Sequence, residues 1–344
     1  MNIAFYDTKP YDKIWFEPLA SGGESGCRIK FYEHKLNADT AISAKDYDCV
    51  CAFVNDRLDR ETIGTLHGNG VKLIAMRCAG YNNVDIAAAY GKIHVVRVPA
   101  YSPASVAEHA AALLLSVNRK IHRAYVRTRD NNFNINGLMG IDLSGKTAGV
   151  IGTGKIGRLF INICRGLGMR VIAYDAYPVQ DSGIDYVSLD ELLEKSDVIS
   201  LHCPLTAETH HMIGKAAIEK MKPGVLLVNT SRGGLVDTSA LLDGLKAKQI
   251  GGAGLDVYEE ESDYFFEDWS NETILDDELA RLLTFPNVLM TSHQGFFTQE
   301  AMREIAAVTM ENIRAFENGE RLENEICYKC EKECVKKAGS KKCF

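Results

Sequence analysis

The sequence predicts an α/β protein of two domains, each a wound parallel sheet with helices on its faces. Three observations carry this. Short apolar stretches of strand length alternate with helical stretches, the pattern of parallel strands joined by crossover helices. A glycine-rich turn, Val150-Ile-Gly-Thr-Gly-Lys-Ile-Gly157, joins one such strand to a helix. Four later strands end in polar or ionisable residues, and in a parallel sheet such ends share one edge.

A chain of 344 residues is long enough for two full cores. The net charge of −7 counts against a nucleic-acid partner. No apolar run approaches the ~20 residues that span a bilayer, which counts against a membrane partner. The chain starts directly with a strand-like stretch, so no signal peptide is expected. Ten cysteines, most of them within strand and helix patterns, read as free thiols of a reducing cytoplasm.

Taken in order, Asn2 to Tyr6, Arg28 to Tyr32, Cys49 to Val54 and Leu73 to Met76 read as strands. Tyr11 to Leu19 and Arg60 to Gly68 read as helices, and Ser21 to Gly26 as a turn. Cys49 and Cys51 point to the same side of one strand and are expected in its core. Arg77-Cys-Ala-Gly-Tyr-Asn-Asn-Val-Asp85 is a polar loop after a strand, where open α/β sheets bind ligands; taken alone, the ordinary-turn reading wins. Two prolines in Val98-Pro-Ala-Tyr-Ser-Pro103 mark a boundary. Ser105 to Arg119 is a long helix crossing into the second domain, with His109 expected to pack in its core, and Arg127 to Asp142 reads as a loop.

Gly152, Gly154 and Gly157 fit G-x-G-x-x-G between the strand Ala148 to Ile151 and a helical face. The first glycine permits the turn, the second lets backbone approach a pyrophosphate, and the third lets the helix pack on the strand. Thr153, Lys155 and Ile156 complete the loop, whose helix N-terminus offers unpaired N–H groups to phosphate. The next strand ends in Asp175, about 20 residues on, where an acid binds ribose hydroxyls and repels a 2′-phosphate. NAD rather than NADP is therefore the expected cofactor. Further strands end in His202-Cys203-Pro204, in Asn229-Thr230-Ser231-Arg232, in Asp256 and in Ser292-His293. Arg232, Asp256 and His293 thus fall on the edge that carries the glycine loop. His202 is expected to pack near the cofactor without doing chemistry, and His210 and His211, with no partner in view, are given no role.

These motifs, in this order, resemble the D-2-hydroxyacid dehydrogenases, and more narrowly the bacterial fermentative D-lactate dehydrogenases. The likeness runs from the N-terminus to about Glu325. It includes Phe5-Tyr-Asp-Thr-Lys-Pro-Tyr-Asp12, Val228-Asn-Thr-Ser-Arg-Gly233, Asp256-Val-Tyr-Glu-Glu-Glu261, Tyr264-Phe-Phe-Glu-Asp-Trp269 and Ser292-His-Gln-Gly-Phe-Phe-Thr298. The resemblance implies a Rossmann-type NAD domain, 101–298, inserted in a discontinuous flavodoxin-like substrate domain, 1–100 and 299–330, with a cleft between them. It implies a homodimer joined through the NAD domain.

The resemblance also implies roles. Arg232 matches the arginine that binds the substrate carboxylate and polarises its carbonyl. His293 matches the acid/base, and Glu261 the carboxylate that pairs with it. The residues alone leave Glu259, Glu260 and Glu261 open as that partner. Cys78, Ala79 and Gly80 match the carboxylate-binding loop, and Tyr101 a tyrosine that closes over the substrate. Phe53 and Phe296 fall where the family lines its side-chain pocket, and Asp256 is expected near the nicotinamide carboxamide. The cofactor edge is completed by His202, Cys203, Pro204, Asn229, Thr230 and Ser231.

The expected reaction is reversible hydride transfer between NADH and pyruvate, giving D-lactate, with no metal in the catalytic set. A rival within the class prefers larger 2-keto acids such as 2-ketoisocaproate or phenylpyruvate. A rival of another class is an NAD-sensing scaffold without turnover. The stretch Phe265 to Leu275 is expected to shape the active-site side of the NAD domain. The end of the chain, 331–344, is rich in cysteine and lysine. Cys327 and Cys330 form a C-x-x-C, but Cys334 and Cys343 form no second one, so reactive thiols on a mobile tail are expected rather than zinc.

Overall fold

The computed structural model describes residues 1–21 and 27–328. The expected turn at Ser21 to Gly26 and the cysteine-rich end lie largely outside the described residues. The chain divides into two compact units. One holds residues up to Ser102 and those from Thr298 onward, and the other holds Pro103–Phe297.

The first unit is built on β1 (Asn2–Phe5), β2 (Arg28–Phe31), β3 (Cys49–Ala52), β4 (Leu73–Met76) and β5 (His94–Val96). They form one sheet in the order β2-β1-β3-β4-β5. Every pairing is parallel, with Ile3 opposite Cys49 and Phe5 opposite Cys51. This is the flavodoxin-like winding, whose switch point lies between β1 and β3. Parallel strands covered on both faces are continuously apolar, and β3 and β4 are buried at every position. Cys49 and Cys51 lie in that core. Asp59 opens the helix Arg60–Gly68 by accepting the Thr62 N–H at 3.0 Å, and Thr298 opens Gln299–Glu317 in the same way through Ala301.

The second unit holds β6 (Thr147–Ile151), β7 (Arg170–Tyr174), β8 (Asp185–Tyr186), β9 (Val198–Leu201), β10 (Val225–Asn229), β11 (Ile250–Leu255) and β12 (Val288–Met290). Their order is β12-β11-β10-β9-β6-β7-β8, again parallel throughout. This is the Rossmann winding, with its switch point between β6 and β9. The helix Pro103–Arg119 packs on the sheet where β11 carries glycines. A Cβ on Gly252 would lie 2.6 Å from Val117 Cγ1, and one on Gly254 3.0 Å from Leu113 Cβ. Phe160 and Ile161 of the helix Lys155–Gly166 are buried beside Val150 and Val198, each such side chain contributing about 1.5–3 kcal/mol.

Two departures from the sequence reading are local. The stretch from Arg127, expected as loop, begins inside a helix, Ile121–Arg129, which the long preceding helix leads into. β5 and β8, of three and two residues, were too short for a periodicity to show.

Candidate active site

The glycine loop follows β6 at the switch point of the second unit. Gly152 has φ +94°, and a Cβ there would lie 2.6 Å from Cys203 N and His202 C. Gly157 sits against the Gly152 carbonyl, leaving no room for a side chain. Gly154 caps the helix Lys155–Gly166 without a side-chain bond, and a Cβ there would meet nothing within 4 Å. Two of the glycines are thus held by packing, while the third faces open space at a helix N-terminus. That combination fits a pyrophosphate.

Asp175 reaches this loop from the end of β7. Its Oδ2 accepts Thr153 N–H at 2.6 Å and the Thr153 hydroxyl at 2.8 Å, and its Oδ1 accepts Tyr177 N–H at 2.9 Å. Burial raises its pKa, but these bonds outweigh burial and hold it below the usual carboxylate range. It is an anion, as a ribose acceptor should be. Lys155 and Ile156 open the helix, with Ile156 packed toward the core.

His202 follows β9. Its Nε2 lies 2.9 Å from Ser200 Oγ, and its ring 5.0 Å from that of Phe160. Burial pushes its pKa down to about 3, so it is a neutral packing group. Cys203 lies 3.6 Å from the Met212 sulfur, and the Pro204 carbonyl accepts the Thr209 hydroxyl at 2.8 Å.

The turn after β10 is self-braced. Asn229 Oδ1 accepts Ser231 N–H at 3.0 Å while its Nδ2 donates to the Arg232 carbonyl at 2.8 Å. Ser231 Oγ donates to the Cys203 carbonyl at 2.6 Å, tying two strand ends together. Thr230 Oγ1 is buried without a hydrogen-bond partner among the described residues. Arg232 donates from Nη1 to the Ser231 carbonyl at 2.6 Å, and its other donors make no hydrogen bond among the described residues, which suits the binding of a carboxylate.

His293 Nδ1 lies 2.7 Å from Glu261 Oε1. Glu261 Oε2 accepts Tyr258 N–H at 3.0 Å, so both its oxygens are engaged. Of the three glutamates open in sequence, Glu261 is the one at His293. Phe266, within the stretch expected to shape this side, has its ring 6.1 Å from the imidazole. His293 has φ +51°, a left-handed conformation, and its N–H donates to the Asp256 carbonyl at 2.7 Å.

Asp256, at the end of β11, is held by the loop that follows β12. Its carboxylate is 1% exposed and accepts Thr291 Oγ1, Gln294 N–H at 2.9 Å and Gly295 N–H at 2.7 Å. These bonds shape the loop that presents His293. His109 is no plain core residue. Its Nε2 lies 3.0 Å from Thr291 Oγ1 and 3.2 Å from Asp256 Oδ1. Burial raises the Asp256 pKa, but the bonds from His109 and Thr291 hold it below the usual range. Nothing in the sequence links position 109 to 256, because the two meet only when the long helix packs on the sheet.

His210 and His211, left without a partner in the sequence reading, have one. His211 Nε2 lies 2.5 Å from Glu259 Oε1, and the two imidazoles stack with centroids 3.9 Å apart.

The remaining candidates lie mostly in the first unit. Cys78 is buried with Sγ 3.2 Å from the Gly80 carbonyl, and Arg97 donates to the Ala79 carbonyl at 2.8 Å. Phe53 is buried with Arg77 over its ring at 4.7 Å, and Arg77 also lies 4.5 Å over the ring of Phe5. Tyr101 is partly buried. Phe296, in the second unit, is buried with its ring 6.0 Å from that of Phe297.

Comparisons with known proteins identify the family. The family of the D-isomer specific 2-hydroxyacid dehydrogenase NAD binding domain matches residues 111–295. D-lactate dehydrogenase of Escherichia coli strain K12 is 50% identical over 331 residues, covering 95% of this chain and all of that one. Its apo-structure superposes with a TM-score of 0.86 at 47% identity, over 95% of this chain and 100% of that chain. The pyruvate reductase of Chlamydomonas reinhardtii superposes with a TM-score of 0.88 at 44% identity, over 94% of this chain and 98% of that chain. The second unit is therefore an NAD-binding Rossmann unit, and the chain is an NAD-dependent oxidoreductase that belongs to the D-isomer specific 2-hydroxyacid dehydrogenases.

Proposed function

We propose that this chain is a D-lactate dehydrogenase that reduces pyruvate to D-lactate, reversibly, in the fermentative metabolism of the cytoplasm. The observation that carries the reading is the His293–Glu261 pair, 2.7 Å apart on the edge that bears the Arg232 turn and the glycine loop. It is supported by the likeness to E. coli D-lactate dehydrogenase over nearly the whole chain.

Bound NADH supplies the hydride. Arg232 takes the substrate carboxylate in its planar fork and polarises the keto group. Cys78, Ala79 and Gly80 offer backbone N–H groups to the same carboxylate, Tyr101 closes over the substrate, and Phe53 and Phe296 meet its side chain. Fixing the carboxylate orients C2 for transfer. His293 gives the proton on Nε2 to the keto oxygen as C2 receives the hydride, so the product is the neutral alcohol and the histidine is left neutral. Glu261, paired with Nδ1, fixes the orientation of the ring. Asp175 takes the ribose hydroxyls and selects NAD. Lys155, Ile156 and the three glycines hold the pyrophosphate, with Cys203, Pro204, Asn229, Thr230 and Ser231 along the cofactor edge.

The protein is further proposed to be a homodimer through the NAD unit, with its substrate domain formed by 1–100 and 299–330. Exposed Ile121, Tyr125, Val126, Phe133, Ile135 and Met139 within one stretch of the NAD unit support that interface.

The test is NADH oxidation with pyruvate, 2-ketoisocaproate and phenylpyruvate side by side, with His293→Ala as control. Pyruvate is expected to give the highest kcat/KM, and the variant to lose turnover. A clear preference for a larger keto acid replaces the substrate and keeps the mechanism. NADH binding with no turnover on any keto acid overturns the enzymatic reading in favour of a sensing scaffold.

A further inference from the structure

A second cluster of chemistry-bearing side chains lies outside the catalytic set, in the NAD unit. His210, His211 and Glu259 each turn one ligand atom toward the others, and all three atoms lie within 4.8 Å of one another. We infer that His210, His211 and Glu259 form a binding site for one late first-row divalent cation of the Zn²⁺ class, separate from the reacting groups.

Two imidazoles and a carboxylate are the donor set of an open zinc site, with remaining positions for water. The distances suit it. Bonds of about 2.0–2.1 Å in tetrahedral geometry place neighbouring ligand atoms ~3.3 Å apart. Here Glu259 Oε1 lies 2.5 Å from His211 Nε2 and 3.9 Å from His210 Nε2, so the pairs bracket that value. The stacked rings must tilt for both lone pairs to meet one ion, and the His210 side chain, 53% exposed, has solvent rather than core on its open side.

The other two ligands are anchored. His211 has φ +53°, and its N–H donates to the Gly234 carbonyl at 2.8 Å. The backbone at Glu259 packs against Gly233, where no Cβ could be accommodated. Thr238 donates to Glu259 Oε2 at 3.3 Å, an outer contact that turns Oε1 toward the histidines. An ion here would bridge the loop after β9 to the segment that carries Glu261 two residues on. The cation in water already makes good hydration bonds, so uptake depends on this preset geometry more than on charge alone.

The experiment is equilibrium dialysis of the full chain against Zn²⁺, comparing wild type with His210→Ala and Glu259→Gln. Because the cysteines can also take zinc, the readout is the difference in stoichiometry, with Co²⁺ absorption reporting whether the differing site has nitrogen and oxygen ligands or thiolates. The wild type is expected to take up one equivalent more than either variant, with no thiolate-to-metal band attached to it, and its Tm is expected to rise with Zn²⁺ more than theirs. Equal stoichiometry in all three proteins overturns the site. So does a differing equivalent that carries the thiolate band. His210→Ala removes an exposed side chain, so loss of folding does not obscure the result.

Discussion

Glu261 holds Nδ1 of His293 at 2.7 Å while its other oxygen accepts a backbone N–H, so the side chain is fixed at both ends. Replacing it by Gln keeps the shape and removes the charge. The expected outcome is a fall in kcat of ~10²–10⁴-fold, as for a lost acid–base partner, with the Kd for NADH nearly unchanged. Equilibrium NADH fluorescence beside steady-state rates separates the two. Asp175 gives a prediction of the opposite kind. Asp175→Ala removes a charge-assisted acceptor of about 1.5–3 kcal/mol, so Kd for NADH rises roughly tenfold or more while the ratio of NADPH to NADH use increases. A variant that keeps the parent's cofactor ratio would show that Asp175 faces only Thr153 and Tyr177. His202 supplies the pH dependence. Burial pushes its pKa to about 3 from 6.5, so the folded chain excludes a proton that the unfolded chain accepts. Its contribution is complete above the unfolded value of 6.5 and is lost as pH falls toward about 3. Urea midpoints across that window are expected to fall less steeply in His202→Gln than in the wild type.

At the scale of the element, the glycine turn separates folding from binding. Gly157 lies against the Gly152 carbonyl, so Gly157→Ala forces the helix Lys155–Gly166 off β6, at about 1–3 kcal/mol or more by the cost of overpacking. Gly154 faces open space, so Gly154→Ala is expected to keep the wild-type Tm while weakening NADH binding, because the methyl group takes the room of the pyrophosphate. Equal losses of Tm in the two variants would contradict the division. This turn was legible in sequence because its requirements are local: three glycines at fixed spacing between a strand and a helix. The strand ends at Arg232, Asp256 and His293 were legible for the same reason, since parallel winding puts them on one edge whatever the packing. What stayed hidden depends on distance in the chain. His109 meets Thr291 and Asp256 across more than half of the NAD unit, and His211 meets Glu259 forty-eight residues on. A single histidine carries no pattern, so neither contact leaves a periodicity or a spacing to read. Asp256 is legible as an acid on that edge, but its bonds to Thr291, Gln294 and Gly295 are not, because an acid at a strand end carries no sign of the loop it braces.

For the whole molecule, the sequence signals two domains through length and through the two prolines near Tyr101, but assembly is written in side-chain exposure, which only the folded chain reveals. In the NAD unit, Ile135 is 79% exposed and Met139 87%, and Phe133, Tyr125 and Val126 stand beside them in sequence. Isolated apolar residues on a surface need no explanation, but large ones gathered in one stretch are unfavourable in water and mark an interface. A stable isologous dimer buries about 800 Å² per partner, with aromatic and Met side chains at its centre. The helix Ile121–Arg129 belongs to the same stretch and has no buried residue of its own, so its stability should come from a partner rather than from this chain. The double variant Phe133→Asp with Ile135→Asp places two charges on that surface, where a second copy of the chain would have to desolvate them. Sedimentation velocity is expected to find the wild type as a dimer and the variant as a monomer at micromolar concentration. The variant should still bind NADH, because neither residue touches the glycine loop or Asp175. If a partner copy covers this helix, helicity should fall by an amount that matches the fraying of nine residues. If the variant sediments as the wild type does, the exposed stretch is not a dimer interface.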